Sequence, residues 1–210
     1  MMAWFGIGRD AGSSAREVLS IPLFPLKTVL FPGGILPLRV FEQRYLDMTA
    51  ACMKDNKPFG VCLIAQGEET GAAADTHPVG TLAEISHWDM EQLGILHITA
   101  RGGQRFRILE TRRSKANLLE ADVELIDDNI APLPNQHQRL LPLLRKVIKD
   151  LGPERIAEPH RLDDAEWVGY RITEILPVQN LAKQKLLELE DPLSRLEILE
   201  KFLVQRKLIG

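Results

Sequence analysis

The chain has 210 residues, 45% of them hydrophobic and 26% charged, with a formal net charge of −3. That balance excludes wholesale disorder and suffices for one domain, or two small ones, without disulfide staples. It provides no global positive field to draw the protein to nucleic acid or an anionic membrane, and two cysteines, Cys52 and Cys62, cannot make a disulfide framework.

Residues 1–19 carry neither a basic start nor a long apolar stretch, so they read as a flexible tail and not a signal peptide. No apolar run approaches the ~18 residues of a membrane span. The expectation is a cytoplasmic protein whose two cysteines are buried as small hydrophobes.

Residues 20–130 predict a strand-rich part. Ile21–Phe24 and Thr28–Phe31 are short apolar runs cut by Pro22, Pro25 and Pro32, and Ile35–Val40 follows. Prolines this dense exclude central ladder positions and predict short or edge strands. Phe41, Tyr45, Met48 and Cys52 then fall at the spacing of one helix face, and Asn56-Lys57-Pro58 ends that helix. Phe59–Gln66 is almost wholly apolar, which predicts a strand covered on both faces. Gly67–Pro78 is small and polar, an exposed loop. Val79–Trp88, Leu93–Arg101, Gln104–Arg113 and Leu118–Leu125 are further strands, with turns at Asp89–Gln92 and Gly102-Gly103. Alternation turns Phe106 and Ile108 inward and Arg105 and Arg107 outward. Strands at this spacing predict an antiparallel barrel or sandwich.

The stretch 127–136, with two prolines, reads as a linker into a helical part, residues 131–210. Leu140, Leu144, Val147, Ile148 and Leu151 share a helix face that Gly152-Pro153 stops. Asp163 and Glu166 form an acidic capping pair before Val168, Ile172 and Ile175. Leu181–Leu189 is a shorter helix. Asp191-Pro192 starts the last one, with its stripe Leu196, Leu199 and Leu203. Four helices of this kind make a small bundle.

Catalytic signatures are missing. There is no phosphate-binding GxxxxGK[ST] loop, no HExxH, no CxxC and no GxSxG. Gly6-Ile7-Gly8-Arg9-Asp10-Ala11 follows no strand, and Ser114-Lys115, as strand neighbours, point to opposite faces. His87, Asp89 and Glu91 alternate, with His97 across a hairpin; the donor types suit zinc or iron, but alternation alone does not make ligands converge. No catalytic, cofactor or metal site is therefore expected, and no enzyme. The densest positive feature is Arg101, Arg105, Arg107, Arg112, Arg113 and Lys115. Of these, Arg101, Arg105 and Arg107 are candidate ligand contacts, to RNA phosphates or an acidic peptide. A solvated strand face is the favoured reading, because residues 1–130 hold 13 Lys/Arg against 17 Asp/Glu and no aromatic pattern supports base stacking.

The run Ile21-Pro-Leu-Phe-Pro-Leu-Lys-Thr-Val-Leu-Phe-Pro-Gly33, then Leu36-Pro-Leu-Arg-Val-Phe-Glu-Gln-Arg-Tyr45 with Met48, resembles the opening signature of the Lon protease N-terminal domain. Gly80-Thr-Leu-Ala-Glu-Ile85, Gly102-Gly-Gln-Arg-Phe-Arg-Ile108 and Gln184-Lys-Leu-Leu-Glu188 with Arg195-Leu196 continue it in order. The resemblance implies an α+β fold, a PUA-like antiparallel β-pseudobarrel followed by a C-terminal α-helical bundle. It also implies a role, since in Lon this domain helps engage unfolded substrates and contributes to assembly. These 210 residues contain neither the ATPase nor the Ser–Lys peptidase domain of Lon. The expectation is a stand-alone, non-catalytic binding module for unfolded or partner polypeptide, including a full-length Lon protease, with a homo-oligomer admitted. The alternative is an RNA-binding PUA-like protein using Arg101–Lys115. Pro22, Pro25, Pro32, Phe41 and Tyr45 are read as scaffold, with Phe41 and Tyr45 packing the helix onto the barrel. The proline-rich opening and the 67–78 loop are read as contributors to an exposed apolar patch.

Overall fold

The computed structural model describes residues 18–71 and 74–209. Residues 1–17 of the expected tail, with the Gly6–Ala11 motif, lie outside the described residues. The strands are β1 (Val18–Leu26), β2 (Ile35–Val40), β3 (Phe59–Gln66), β4 (Asp75–Thr76), β5 (Val79–Gln92), β6 (Ile95–Arg113) and β7 (Leu119–Ile126), with helix α1 (Gln43–Asp55) between β2 and β3. A short 3-10 turn at 135–140 then leads into α2 (Leu141–Leu151), α3 (Ala165–Ile175), α4 (Asn180–Glu188) and α5 (Pro192–Gln205). The order is the expected one, a pseudobarrel and then helices. Val18 and Leu19, assigned to the tail, instead open β1 opposite Glu124 and Val123 of β7.

The sheet runs β1-β7-β6-β5-β3-β4, with β2 on β6, and a further β1–β3 pairing closes five strands into a ring. Every pair is antiparallel except β1–β3, which is parallel. β1 divides its length between partners: Val18–Pro22 pair with β7 and Leu23–Leu26 with β3. Pro22 and Pro25 thus each face a ladder on one side, which lets a residue without an N–H enter a closed sheet. Pro37 sits in β2, which pairs with β6 alone among the described strands.

Three local expectations are corrected. Gly102-Gly103 is no hairpin turn; β6 runs straight through it. A Cβ on Gly102 would fall on the carbonyl oxygen of Phe31. Gly33 N donates to Gly102 O (2.7 Å), and Gly102 N donates to Gly34 O (2.9 Å). The glycine marks the close approach of another backbone. The turn expected at Asp89–Gln92 is also displaced: those residues belong to β5, and the chain turns at Leu93-Gly94, with Gln92 opposite Ile95 and Gly94 at φ 82°. Thr28–Phe31 is not a strand either. Leu30 fills the barrel core, its carbonyl accepts from Thr81 Oγ1 (2.7 Å), and Phe31 packs at 5.6 Å against the ring of Tyr170.

Inside the barrel, Tyr45, Met48 and Cys52 of α1 are buried as the helical spacing required, and the rings of Phe24 and Tyr45 stack at 4.2 Å. Phe41 does not join them and is 55% exposed. The helix starts only at Gln43, and extended backbone at Glu42 leaves Phe41 off the buried face. In the helical layer Leu144, Ile172, Leu196, Leu199 and Leu203 are buried together. α3 is capped by Asp164, one residue beyond the expected Asp163, which accepts from Glu166 N (2.9 Å) and Trp167 N (3.3 Å). Asp191 caps α5 as expected, accepting from Ser194 N (2.8 Å).

Gly102 and Gly103 therefore differ in what they tolerate. Gly102→Ala lowers the unfolding free energy in urea by about 1–3 kcal/mol, since the added methyl meets backbone. At Gly103 an added Cβ meets nothing nearer than Leu82 at 3.5 Å, so Gly103→Ala stays within about 0.5 kcal/mol of the parent.

Candidate polypeptide-binding groove

Strands and helices meet at a buried polar seam. Arg105 of β6 is fully buried; its Nη1 donates to the carbonyls of Leu187 (2.9 Å) and Leu189 (3.2 Å), and its Nη2 lies 3.5 Å from Glu166 Oε1. Arg195 of α5 enters from the other side. Its Nε donates to Leu186 O (2.9 Å) and its Nη2 to Leu189 O. Two guanidiniums thus satisfy the carbonyls that the last turn of α4 leaves without helical partners. Tyr170 lies between them, with Arg195 4.2 Å and Arg105 5.9 Å from its ring centre, and its hydroxyl donates to Glu166 Oε1 (3.0 Å). Burial raises the Glu166 carboxyl above its ordinary range, although Tyr170, Arg105 and Arg195 all pull it down.

Two more struts cross the seam. Gln184 Nε2 donates to Val79 O (2.9 Å), and Arg171 Nη2 donates to Pro32 O (2.7 Å) and Glu174 Oε1 (3.0 Å). Beside the second strut a groove of about 760 Å³ opens between the strand layer and the helices. Val29, Leu30 and Ile35–Pro37 form one wall, and Leu143, Val147 and Leu151 of α2 the other. α2 arises from its amphipathic spacing: Leu144 points into the helical core, while Val147 is half-buried and Leu151 is 43% exposed. Charge enters at one end, where Glu174 and Lys183 line the groove and Lys183 Nζ donates to Glu174 O (2.6 Å). Burial raises the Glu174 carboxyl from 4.5 to about 7, against the lowering effect of Arg171, Lys183 and Arg155.

Pro37 also borders a smaller cleft of about 260 Å³ that includes Phe24, Phe41, Glu69 and Thr70. Glu69 Oε1 accepts from Lys27 N (2.5 Å), and Glu68 pairs with Lys27 Nζ, tying the start of the 67–78 loop to the residue that follows β1. The proline-rich opening and this loop thus both border clefts. Sequence reasoning missed the α2 wall, Glu174 and Lys183. It also missed the exposed apolar Trp88, Met90 and Leu93 of the β5–β6 hairpin, Leu93 being 97% exposed. The helical stripe of α2 was visible, but nothing in it shows which part stays uncovered.

The basic stretch does not form one surface. Arg101 is exposed, opposite Ile35 and Glu84. Arg105 was expected outward and is buried: it does face away from Phe106, but the helices cover that side of β6. Arg107 is exposed at the rim and pairs with Glu190 at 3.1 Å. Arg101 and Arg107 lie six residues, roughly 20 Å, apart on one strand. Arg112 donates to Glu120 Oε2 (3.1 Å), Asp122 Oδ1 (2.8 Å) and Ser20 Oγ.

His97 stands opposite Asp89 and His87 opposite Thr99, bordering a shallow cleft. Among the described residues no three His, Cys, Asp or Glu converge as metal ligands, and the Glu91 side chain lies outside them. Cys52 and Cys62 are free and buried, and burial raises both thiols. Ser114 and Lys115 fall in the β6–β7 turn, not on a strand.

A small closed sheet, a helical layer locked to it by buried arginines and an apolar groove at their junction define a mixed sheet-and-helix domain. The chain belongs to the family of the ATP-dependent protease La (Lon) substrate-binding domain, whose model matches residues 20–205. It is similar to the Lon N-terminal domain protein from Xanthomonas campestris, at 35% identity and a TM-score of 0.73 over 87% of this chain and 98% of that one. The N-terminal domain of Mycobacterium avium complex Lon protease shares the fold, at 19% identity and a TM-score of 0.61 over 86% of this chain and 96% of that one. Lon protease 2 of Myxococcus xanthus is 27% identical over 203 residues, 89% of this chain and 24% of that protein. Protein cereblon of Danio rerio is 28% identical over 132 residues, 61% of this chain and 30% of that protein. The chain spans about a quarter or less of the length of the first curated Lon relatives it matches. No helix among the described residues is long and apolar enough to cross a membrane.

Removing one buried charge of the seam strands the other. Arg105→Ala costs about 3–5 kcal/mol of unfolding free energy, whereas Arg107→Ala, at an exposed pair, changes it by no more than about 1 kcal/mol. Glu174 has the opposite sign from a paired carboxylate. The folded state holds its proton up to about 7 and the unfolded state loses it near 4.5, so stability falls as pH rises between those values. In urea titrations Glu174→Gln therefore gains on the parent from acid to neutral pH; a gap that stays constant would contradict this.

Proposed function

We propose that this chain is a non-catalytic polypeptide-binding module that takes exposed apolar segments of unfolded or partner chains into the groove between the 28–37 segment and α2. The groove itself carries the reading: apolar side chains form most of its two walls, with Asp150, Arg155, Glu174 and Lys183 among them, and no described segment fills it. Membership of a substrate-binding domain family supports it, and a full-length Lon protease is a partner of the right kind. Residues 20–130 and 131–210 act as two subdomains of one unit in this reading, which the seam arginines support. Free, buried thiols suit a cytoplasmic setting. RNA binding finds no support, because Arg105 has no exposed surface and Arg107 and Arg112 are paired to carboxylates.

The test is fluorescence anisotropy of a labelled, permanently unfolded polypeptide titrated with the whole chain at low and high salt. Binding is saturable and tolerates salt, because apolar burial drives it. Val147→Asp and Leu151→Asp each weaken it about tenfold or more, the loss expected for one apolar side chain in a bound interface. Leu151 is half in water already, so its variant keeps the parent's unfolding midpoint within about 0.5 kcal/mol. Undiminished binding by both variants would remove the groove from the mechanism.

A further inference from the structure

The groove reading has a regulatory consequence that rests on it. We infer that an apolar segment enters the groove together with a proton on Glu174, so that occupancy is gated by pH near neutrality.

Glu174 is near the C-terminal end of α3, in a groove wall that also carries Leu30, Leu36 and Leu176, and its side chain retains 23% exposure. Its Oε1 lies against Gly34; a Cβ there would fall on that oxygen. Among the described residues Arg171 alone donates to the carboxylate, and its Nη2 is shared with Pro32 O. Lys183 of α4 is near but spends its hydrogen bond on the Glu174 backbone carbonyl. The other charged groups on the groove are Asp150 of α2 and Arg155 of the α2–α3 connection, and no histidine lines it.

An apolar segment laid across these walls removes the water that still reaches Glu174. An ionised carboxylate then keeps the shared Arg171 donor and the charges of Lys183 and Arg155 as compensation for its lost hydration, whereas the neutral acid loses little. The occupied groove thus favours the protonated form, and by reciprocity the proton favours occupancy. The carboxyl already titrates at about 7 with the groove open, so any further rise moves it through the neutral range.

The probe is an unstructured peptide of Leu, Ser and Gly, capped at both ends, without ionisable side chains and with a pH-insensitive dye. Binding to the full chain is measured from about pH 6 to about pH 8.5, where one linked proton weakens affinity by up to tenfold per pH unit above the free pKa. The parent's affinity is flat in acid and falls by about tenfold at the alkaline end. Glu174→Gln binds at the acid-limb affinity throughout. Calorimetry of the parent just above neutral pH, in two buffers of different ionisation enthalpy, shows proton uptake on binding, a readout independent of the variant's folding. Tight binding with no pH slope and no proton uptake overturns the gate and leaves the groove reading standing. A slope retained in Glu174→Gln assigns the proton to another group and overturns it as well. No binding at any pH overturns both.

Discussion

Arg105 is the residue on which the arrangement of the two layers depends. Its guanidinium leaves β6 and ends among the C-terminal carbonyls of α4, beside Glu166 and over Tyr170. A buried guanidinium is costly unless acceptors meet it, and a buried helix end is costly unless donors do. Here Arg105 Nη1 meets the carbonyls of Leu187 and Leu189, which reduces both deficits, while its Nε and Nη2 make no hydrogen bond among the described residues. Arg195, arriving from α5, completes the same cap. Because guanidinium donors are directional, this fixes α4, and through Tyr170 also α3, relative to one position of one strand. Apolar packing of Phe31, Val79, Tyr170 and Leu187 fills the space around it without specifying that register.

A seam held by a few polar struts does not close along its whole length. Arg105, Gln184 and Arg171 tie it at Leu187, Val79 and Pro32. Near Arg171 the 28–37 segment and α2 leave the groove between them. Its walls are mostly apolar because each comes from an element that also serves a core: Leu30 belongs to the barrel interior, and Leu144, one turn from Val147, to the helical core. The charged end is the C-terminal end of α3, where Arg171 serves the strut and Glu174 answers it. The partial solvation of Glu174 thus follows from how the layers are joined.

The same reasoning accounts for the strand half. Two prolines enter a closed ring because β1 changes partner between them, from β7 to β3. Gly102 lets the 31–34 turn lie directly on β6, which places Pro32 O within reach of Arg171 and Phe31 against Tyr170. The proline-rich opening, read as scaffold from sequence, is scaffold on one side and groove wall on the other.

Features encoded within a few residues were legible in the chain. The α1 stripe from Tyr45 to Cys52, the α5 stripe, the Asp191-Pro192 cap and the strand Phe59–Gln66, covered over Phe59–Leu63, follow from local spacing and backbone chemistry. So did the order of strands before helices, and the resemblance that carried the family. What failed was whatever depended on a distant segment. Gly102-Gly103 looks like a turn until Phe31 is known to lie on it, and Arg105 looks like a surface residue until α3 and α4 cover its side of β6. Alternation assigns a side chain to one of two faces of a strand; which face meets water is set by the second layer. The sequence by itself determined most of the elements, the α5 cap and the family. The tertiary structure decided which charges are buried, which apolar faces stay open and where the groove lies, because burial is a property of the assembled layers and not of any local run of residues.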